Sequence, residues 1–133
     1  MLVSAIDHFN VLTDDLDKTA NFYADVLGLK RGESAGAAMG YKGAWMFDDA
    51  GFPIVHIGLK TPERDYGPDH IVGATTGALH HVAFRCSGYE LAKERLAGMG
   101  LAFNAMERPE VTFRQITLKD PNNINLELNF ANG

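Results

Sequence analysis

Ile6-Asp7-His8-Phe9-Asn10-Val11 and Leu79-His80-His81-Val82-Ala83-Phe84 read as one short strand written twice, with His8 and His81 at the same place 73 positions apart. A helix start follows each strand: Thr13-Asp14-Asp15 after the first, and the capping-box pattern Ser87-Gly88-Tyr89-Glu90 after the second. The first helix places Leu16, Ala20, Tyr23 and Leu27 on one apolar stripe and is predicted to stop at Gly28. Met99-Gly100-Leu101 echoes Leu27-Gly28-Leu29 at a separation of 72, so the repeat persists through the helix end. Residues 41–47 and 54–59 in the first half, and 111–118 and 124–130 in the second, carry β-branched and aromatic residues between turns. Each half therefore predicts a strand, a helix and three further strands. The expected fold class is α+β, with two βαβββ modules in pseudo-symmetric arrangement forming a cupped mixed sheet, helices on its outer face. The modules are expected at 1–60 and 78–133. Between them, the Gly- and Pro-containing connection 61–77 is long enough to be a linker or a lid.

Composition bounds what such a chain does. At 133 residues, 46% hydrophobic and 22% charged, it can bury a core without metal or disulfide staples. Twelve basic and seventeen acidic residues give a net charge of −5, the wrong sign for tracking phosphates, so nucleic acid is not an expected partner. No apolar run approaches a membrane span and the start has no basic leader pattern, so the expected location is the cytoplasm. Cys86 is the only cysteine, which excludes an intrachain disulfide. It is read as a buried, inert thiol.

Strand alternation sorts the chemistry. Leu126, Leu128 and Phe130 fall on one face of the last strand and Asn125, Glu127 and Asn129 on the other. The matching strand of the first half puts Val55, Ile57 and Leu59 toward the helix and Ile54, His56 and Gly58 away from it, so His56 stands where Glu127 stands. Alternation turns His80 away from His81 and excludes it from the set. A single histidine on a strand is more often a hydrogen-bonded structural residue than a ligand. Four repeat-related positions carrying His8, His56, His81 and Glu127 point instead to a first-row transition-metal site, since imidazole and carboxylate suit Fe, Mn, Ni or Zn.

These residues resemble the vicinal oxygen chelate superfamily, which includes glyoxalase I, methylmalonyl-CoA epimerase, fosfomycin-inactivating thiol transferases, bleomycin-binding proteins and extradiol dioxygenases. The resemblance runs through Ile6-Asp7-His8, Asn21-Phe22-Tyr23, Leu27-Gly28-Leu29, the His80-His81 strand, Asp120-Pro121-Asn122-Asn123 and Asn125-Leu126-Glu127-Leu128. It implies one divalent metal held by His8, His81 and Glu127. At position 56 a glyoxalase carries glutamate and an epimerase usually glutamine, so His56 departs from both. In the extradiol enzymes a histidine at the matching place is the acid and base, and the resemblance gives His56 that role, with Fe(II) as the favoured metal. The ring-cleavage signature usually has a tyrosine before Asp-Pro and a glycine after it, where Thr117 and Asn123 stand here.

The leading expectation is thus a mononuclear metal enzyme acting on a small substrate with adjacent oxygens, an extradiol-type ring-cleaving dioxygenase. The alternative is a glyoxalase- or epimerase-like lyase or isomerase using Ni, Co, Mn or Zn, with His56 as a fourth ligand. A third reading is a non-catalytic small-molecule binding or resistance protein. Fosfomycin thiol transfer ranks lower for want of a basic cluster to hold a phosphonate. Tyr41, Trp45 and Phe113 are candidates for an aromatic pocket wall and Arg114 for a carboxylate clamp, although core packing or surface exposure is the commoner role of each type. Tyr66, Asp69 and His70 of the connection could reach a ligand, but solvated surface is the commoner role of each type and the one expected here. A homodimer is expected, with modules paired within a chain or exchanged between chains.

Overall fold

Helix α1 (Leu16–Leu27) starts where Asp15, extended at φ −134°, accepts the Lys18 N–H on its carboxylate, and ends where Gly28 turns left-handed at φ 72° and returns its N–H to Ala24. The computed structural model describes residues 1–33, 37–40, 42–64 and 66–131. The chain divides into two compact units, Met1–Val72 and Gly73–Gly133, with the boundary inside the connection between the repeats.

In the first unit, β1 (Phe9–Thr13), β2 (Lys30–Glu33), β3 (Gly43–Phe47) and β4 (Pro53–Leu59) form one sheet in the order β1-β4-β3-β2. The first and last strands pair in parallel and the others antiparallel, so α1 serves as part of the crossover that a parallel pair requires. Val11, Ala44, Met46, Val55 and Ile57 are buried beneath Ala20 and Tyr23 of the helix. Each fully buried apolar side chain of this size contributes about 1.5–3 kcal/mol. Thr13 and Thr19, also buried, satisfy one another through a hydroxyl pair at 2.8 Å.

The second unit repeats the plan with β5 (Val82–Cys86), α2 (Tyr89–Gly98), β6 (Asn104–Arg108), β7 (Phe113–Lys119) and β8 (Asn125–Phe130), in the order β5-β8-β7-β6. Leu126, Leu128 and Phe130 are buried against α2, where Tyr89 meets Phe130 edge to face at 5.4 Å. The α+β class and the two βαβββ modules expected from the repeat are therefore what the chain forms. Short 3-10 turns at Ala37–Met39 and Pro109–Val111 add to the plan.

Two local expectations are corrected. The capping box at Ser87 does not form: Gly88, left-handed at φ 81°, is the N-cap and has no side chain to contribute. Glu90 then falls one residue early for the box and pairs with Lys93 at 2.9 Å. The strands also begin later than the repeat predicts, so His8 and His81 each sit one residue before β1 and β5. In the second unit the Asn125 side chain donates to the His80 carbonyl at 2.8 Å, capping the strand entrance.

The hairpin loops preceding β4 and β8 are built alike. Asp48 Oδ1 accepts the N–H groups of Ala50 and Phe52 at 3.0 and 2.8 Å, and Asp120 Oδ1 accepts those of Asn122 and Ile124 at 2.8 and 2.9 Å. Gly51 at φ 87° and Asn123 at φ 68° hold the same left-handed position. Asparagine tolerates that backbone, which explains how the chain dispenses with glycine after Asp120-Pro121. Asp120 is 5% exposed. Replacing it with alanine strands two backbone donors and is expected to cost about 2 kcal/mol in urea unfolding, whereas Asn123→Gly is expected to change stability by less than about 1 kcal/mol.

Candidate metal centre

The parallel registers place the chemistry. Asn10 pairs with His56 in the first unit and Ala83 with Glu127 in the second, each two residues beyond the histidine that precedes the strand. His8 and His56 of one unit therefore correspond to His81 and Glu127 of the other, on the sheet faces turned away from the helices.

In the first unit the two imidazoles lie with ring centroids 6.2 Å apart, nearly perpendicular. Trp45, across from His56 in the β3–β4 ladder, stacks on it at 4.3 Å and 11° and meets His8 edge-on at 4.7 Å. Asp7 Oδ2 lies 2.6 Å from His8 Nδ1, which fixes the proton there and leaves the Nε2 lone pair for a metal. Asn10 Nδ2 donates to His56 Nδ1 at 2.8 Å, so the neutral ring carries its proton on Nε2. A half-turn of the same amide exchanges donor for acceptor and frees Nε2 to take a proton. Burial first, then the charges of His8 and Arg64, lower the His56 pKa below its ordinary 6.5.

In the second unit His81 Nε2 faces Glu127 Oε2 at 3.3 Å. Asn129 donates to Glu127 Oε1 at 3.0 Å and orients the carboxylate. His80, expected to point away, instead meets His81 through their Nδ1 atoms at 2.9 Å. Alternation does not govern it, because both residues precede β5. An open cleft of about 610 Å³ is lined by His80, His81, Phe103, Thr117, Asn125 and Glu127. Thr117 lies opposite Glu127 in the β7–β8 ladder.

Within neither unit do the described residues gather three or more His, Cys, Asp or Glu side chains at a metal-holding spacing. Each unit holds a pair: two imidazoles in one, an imidazole and a carboxylate in the other. By chemistry these donors fit a divalent first-row metal. Of the pocket candidates, Trp45 joins the first pair. Tyr41 lies outside the described residues. Phe113 lines a second cleft of about 480 Å³ in the second unit. Arg114 alternates with Gln115 and Thr117 toward the helix, 3.0 Å from Glu107 and over the Tyr89 ring. Cys86 is half-buried, and burial raises its thiol pKa.

A family model described as the Glyoxalase/Bleomycin resistance protein/Dioxygenase superfamily matches residues 5–128. The chain belongs to this superfamily. A curated relative from Arabidopsis thaliana, "Glyoxylase I 4", is 27% identical over 132 residues, covering 95% of this chain and 70% of the relative. A glyoxylase/bleomycin resistance protein/dioxygenase domain from Frankia sp. EAN1pec has the same fold, with TM-score 0.71, 23% identity, and coverage of 98% of this chain and 94% of that one. So does the fosfomycin resistance protein FosX from Listeria monocytogenes, in a mutant complexed with Mn(II) and 1S,2S-dihydroxypropylphosphonic acid, at TM-score 0.72, 18% identity and coverage of 98% and 95%. A protein of this fold thus holds Mn(II) together with a small dihydroxy acid. No helix among the described residues is long and apolar enough to cross a membrane.

Of the three connection residues expected at the solvated surface, Asp69 and His70 are exposed and Tyr66 is half-buried. Its hydroxyl lies over Gly58 on the His56 face, and Arg64 stacks on its ring with the guanidinium carbon 4.9 Å from the centroid. The readable signal was Gly58 itself, a residue without a side chain on the chemical face of β4.

Trp45 is the chain's only tryptophan, so its emission reports the His56 ring stacked on it. The emission is expected to fall with acid through a midpoint below 6.5, and the His56→Gln protein should lack that component. Because the folded pKa lies below the unfolded one, the His56 contribution to stability is complete above pH 6.5 and is lost as pH falls through the lowered folded value. Urea unfolding at a series of pH values checks the sign.

Proposed function

We propose that the chain is a mononuclear divalent-metal enzyme on a small substrate with adjacent oxygens, and that it cleaves a catechol ring by extradiol chemistry with Fe(II). The observation that carries this reading is the equivalent placement of His8 with His56 and of His81 with Glu127, an imidazole preceding each first strand and a second donor on each last strand. His8, His81 and Glu127 form the two-histidine, one-carboxylate set that suits a metal with open positions. The metal, when bound, would supply Lewis acidity toward the substrate oxygens and access to dioxygen chemistry.

The chain's own residues do the rest. His8 and His81 are held through their Nδ1 atoms, by Asp7 and His80, so that each presents Nε2. His56 is neutral at pH 7, its pKa lowered by burial and by neighbouring positive charge, and it accepts the proton of a substrate hydroxyl on Nε2 when the Asn10 amide accepts from Nδ1. In the same amide orientation the imidazolium returns that proton from Nε2 and is left as the neutral Nδ1–H ring. Trp45 offers a flat wall to a planar ring.

The second reading is a glyoxalase- or epimerase-like lyase or isomerase with Ni, Co, Mn or Zn and His56 as a fourth ligand. The 27% identity to the Arabidopsis relative named for glyoxalase I favours it. The two readings separate on His56. Under the dioxygenase reading His56→Ala keeps its metal and loses at least about a hundredfold in turnover, while Glu127→Ala loses the metal. Anaerobic loading with Fe(II), metal analysis and oxygen uptake with substituted catechols measure this. Loss of metal from both variants, or no oxygen uptake by iron-loaded wild type, selects the alternative.

We further propose a homodimer. Leu2, Val3 and Ile6 of the first unit and Leu79 of the second are exposed apolar side chains of the kind that associating surfaces cover. If chains exchange their half-sites, dilution below the dimer's Kd is expected to release metal, read by sedimentation and metal analysis together.

A further inference from the structure

Gly58 follows His56 by two residues on the same face of β4, a step of about 7 Å along the strand. A Cβ on Gly58 would stand 2.6 Å from the Tyr66 hydroxyl oxygen and 3.4 Å from Leu12. The absent side chain thus makes a seat, and the Tyr66 phenol fills it. Tyr66 reaches the seat from the connection, which folds back on the first unit: Thr61 and Arg64 form a two-way backbone bridge, and Lys60 Nζ donates to the His70 carbonyl at 2.6 Å. Tyr66 itself holds φ 63°, a left-handed backbone that a tyrosine adopts only under local constraint. Its hydroxyl, set over Gly58, has no hydrogen-bond partner among the described residues. Arg64 lies against the same ring, and its charge reaches His56.

We propose that Tyr66 and Arg64 form a substrate-binding subsite next to His56, in which the phenol donates to a substrate oxygen and the guanidinium gives preference to substrates that carry a carboxylate beside their chelating oxygens. This inference rests on the metal-enzyme reading above and names the substrate class within it. A phenol and a guanidinium on one face supply the directional donors that a carboxylate takes in pairs. Trp45 stacks on His56 from the neighbouring strand, so the first unit presents aromatic surface, a phenol and one guanidinium. A planar, carboxylated diol matches that combination.

The test is ligand binding, read by Trp45 emission and by calorimetry on Mn(II)-loaded protein, with catechol and 2,3-dihydroxybenzoate as probes. Wild type is expected to bind the carboxylated probe at least about tenfold more tightly than catechol. Tyr66→Phe, which keeps the ring in its seat, is expected to weaken both probes by about tenfold, the scale of one hydrogen bond. Arg64→Gln is expected to abolish the preference while leaving catechol affinity within about twofold of wild type. Gly58→Ala should reproduce the Tyr66→Phe loss and also lower the Tm, a readout independent of ligand, because its Cβ would stand 2.6 Å from the Tyr66 hydroxyl oxygen. Equal wild-type affinity for the two probes, or variants unchanged toward both, overturns the proposal while leaving the metal-enzyme reading in place. Wild type that takes up neither Mn(II) nor either probe overturns both.

Discussion

In each unit the first strand pairs in parallel with the last, and that ladder is the constraint the other features answer to. A parallel pair cannot be closed by a tight turn, so the chain must cross over, and a helix with one apolar stripe is what covers the sheet on the way. Once the helix is committed to one face, alternation leaves the opposite face free of core duty. His56 and Glu127 occupy that face because Val55, Ile57, Leu126 and Leu128 occupy the other. A slip of one residue in either ladder would bury the chemical side chains and expose the core.

The same ladder sets where the strands begin. His8 and His81 stand just before the first paired residues, where backbone geometry is released from the sheet and the rings are oriented instead by neighbours, Asp7 for one and His80 for the other. Donor atoms held through their second ring nitrogen are preorganised for a metal in a way that freely rotating imidazoles are not. The two hairpin loops, each pinned by an aspartate that accepts two backbone N–H groups, deliver the last strands in register. Buried Asp120 therefore matters to Glu127 seven residues later, through the backbone alone.

The repeat tolerates divergence where its role is backbone geometry and shows it where its role is chemistry. Gly51 and Asn123 differ in type and agree in φ, because only a left-handed residue fits there. His56 and Glu127 agree in position and differ in side-chain type, one a ring stacked on Trp45, the other a carboxylate oriented by Asn129. The connection that joins the repeats is likewise put to use, since it returns Tyr66 to the sheet it has just left.

The sequence by itself determined the two βαβββ modules, the faces of β4 and β8, and the equivalence of His8 with His81 and of His56 with Glu127. These follow from period-2 and period-3.6 patterns and from a repeat, which are local properties of a chain. Tertiary structure alone decided which neighbour each ring meets. His80 turned toward His81 because both lie outside the strand whose alternation would have parted them. Arg114 went to Glu107 and the Tyr89 ring, and Tyr66 came to Gly58 across a loop whose path no periodicity encodes. Contacts of that kind depend on side-chain volume and loop closure in three dimensions, and a strand pattern carries neither.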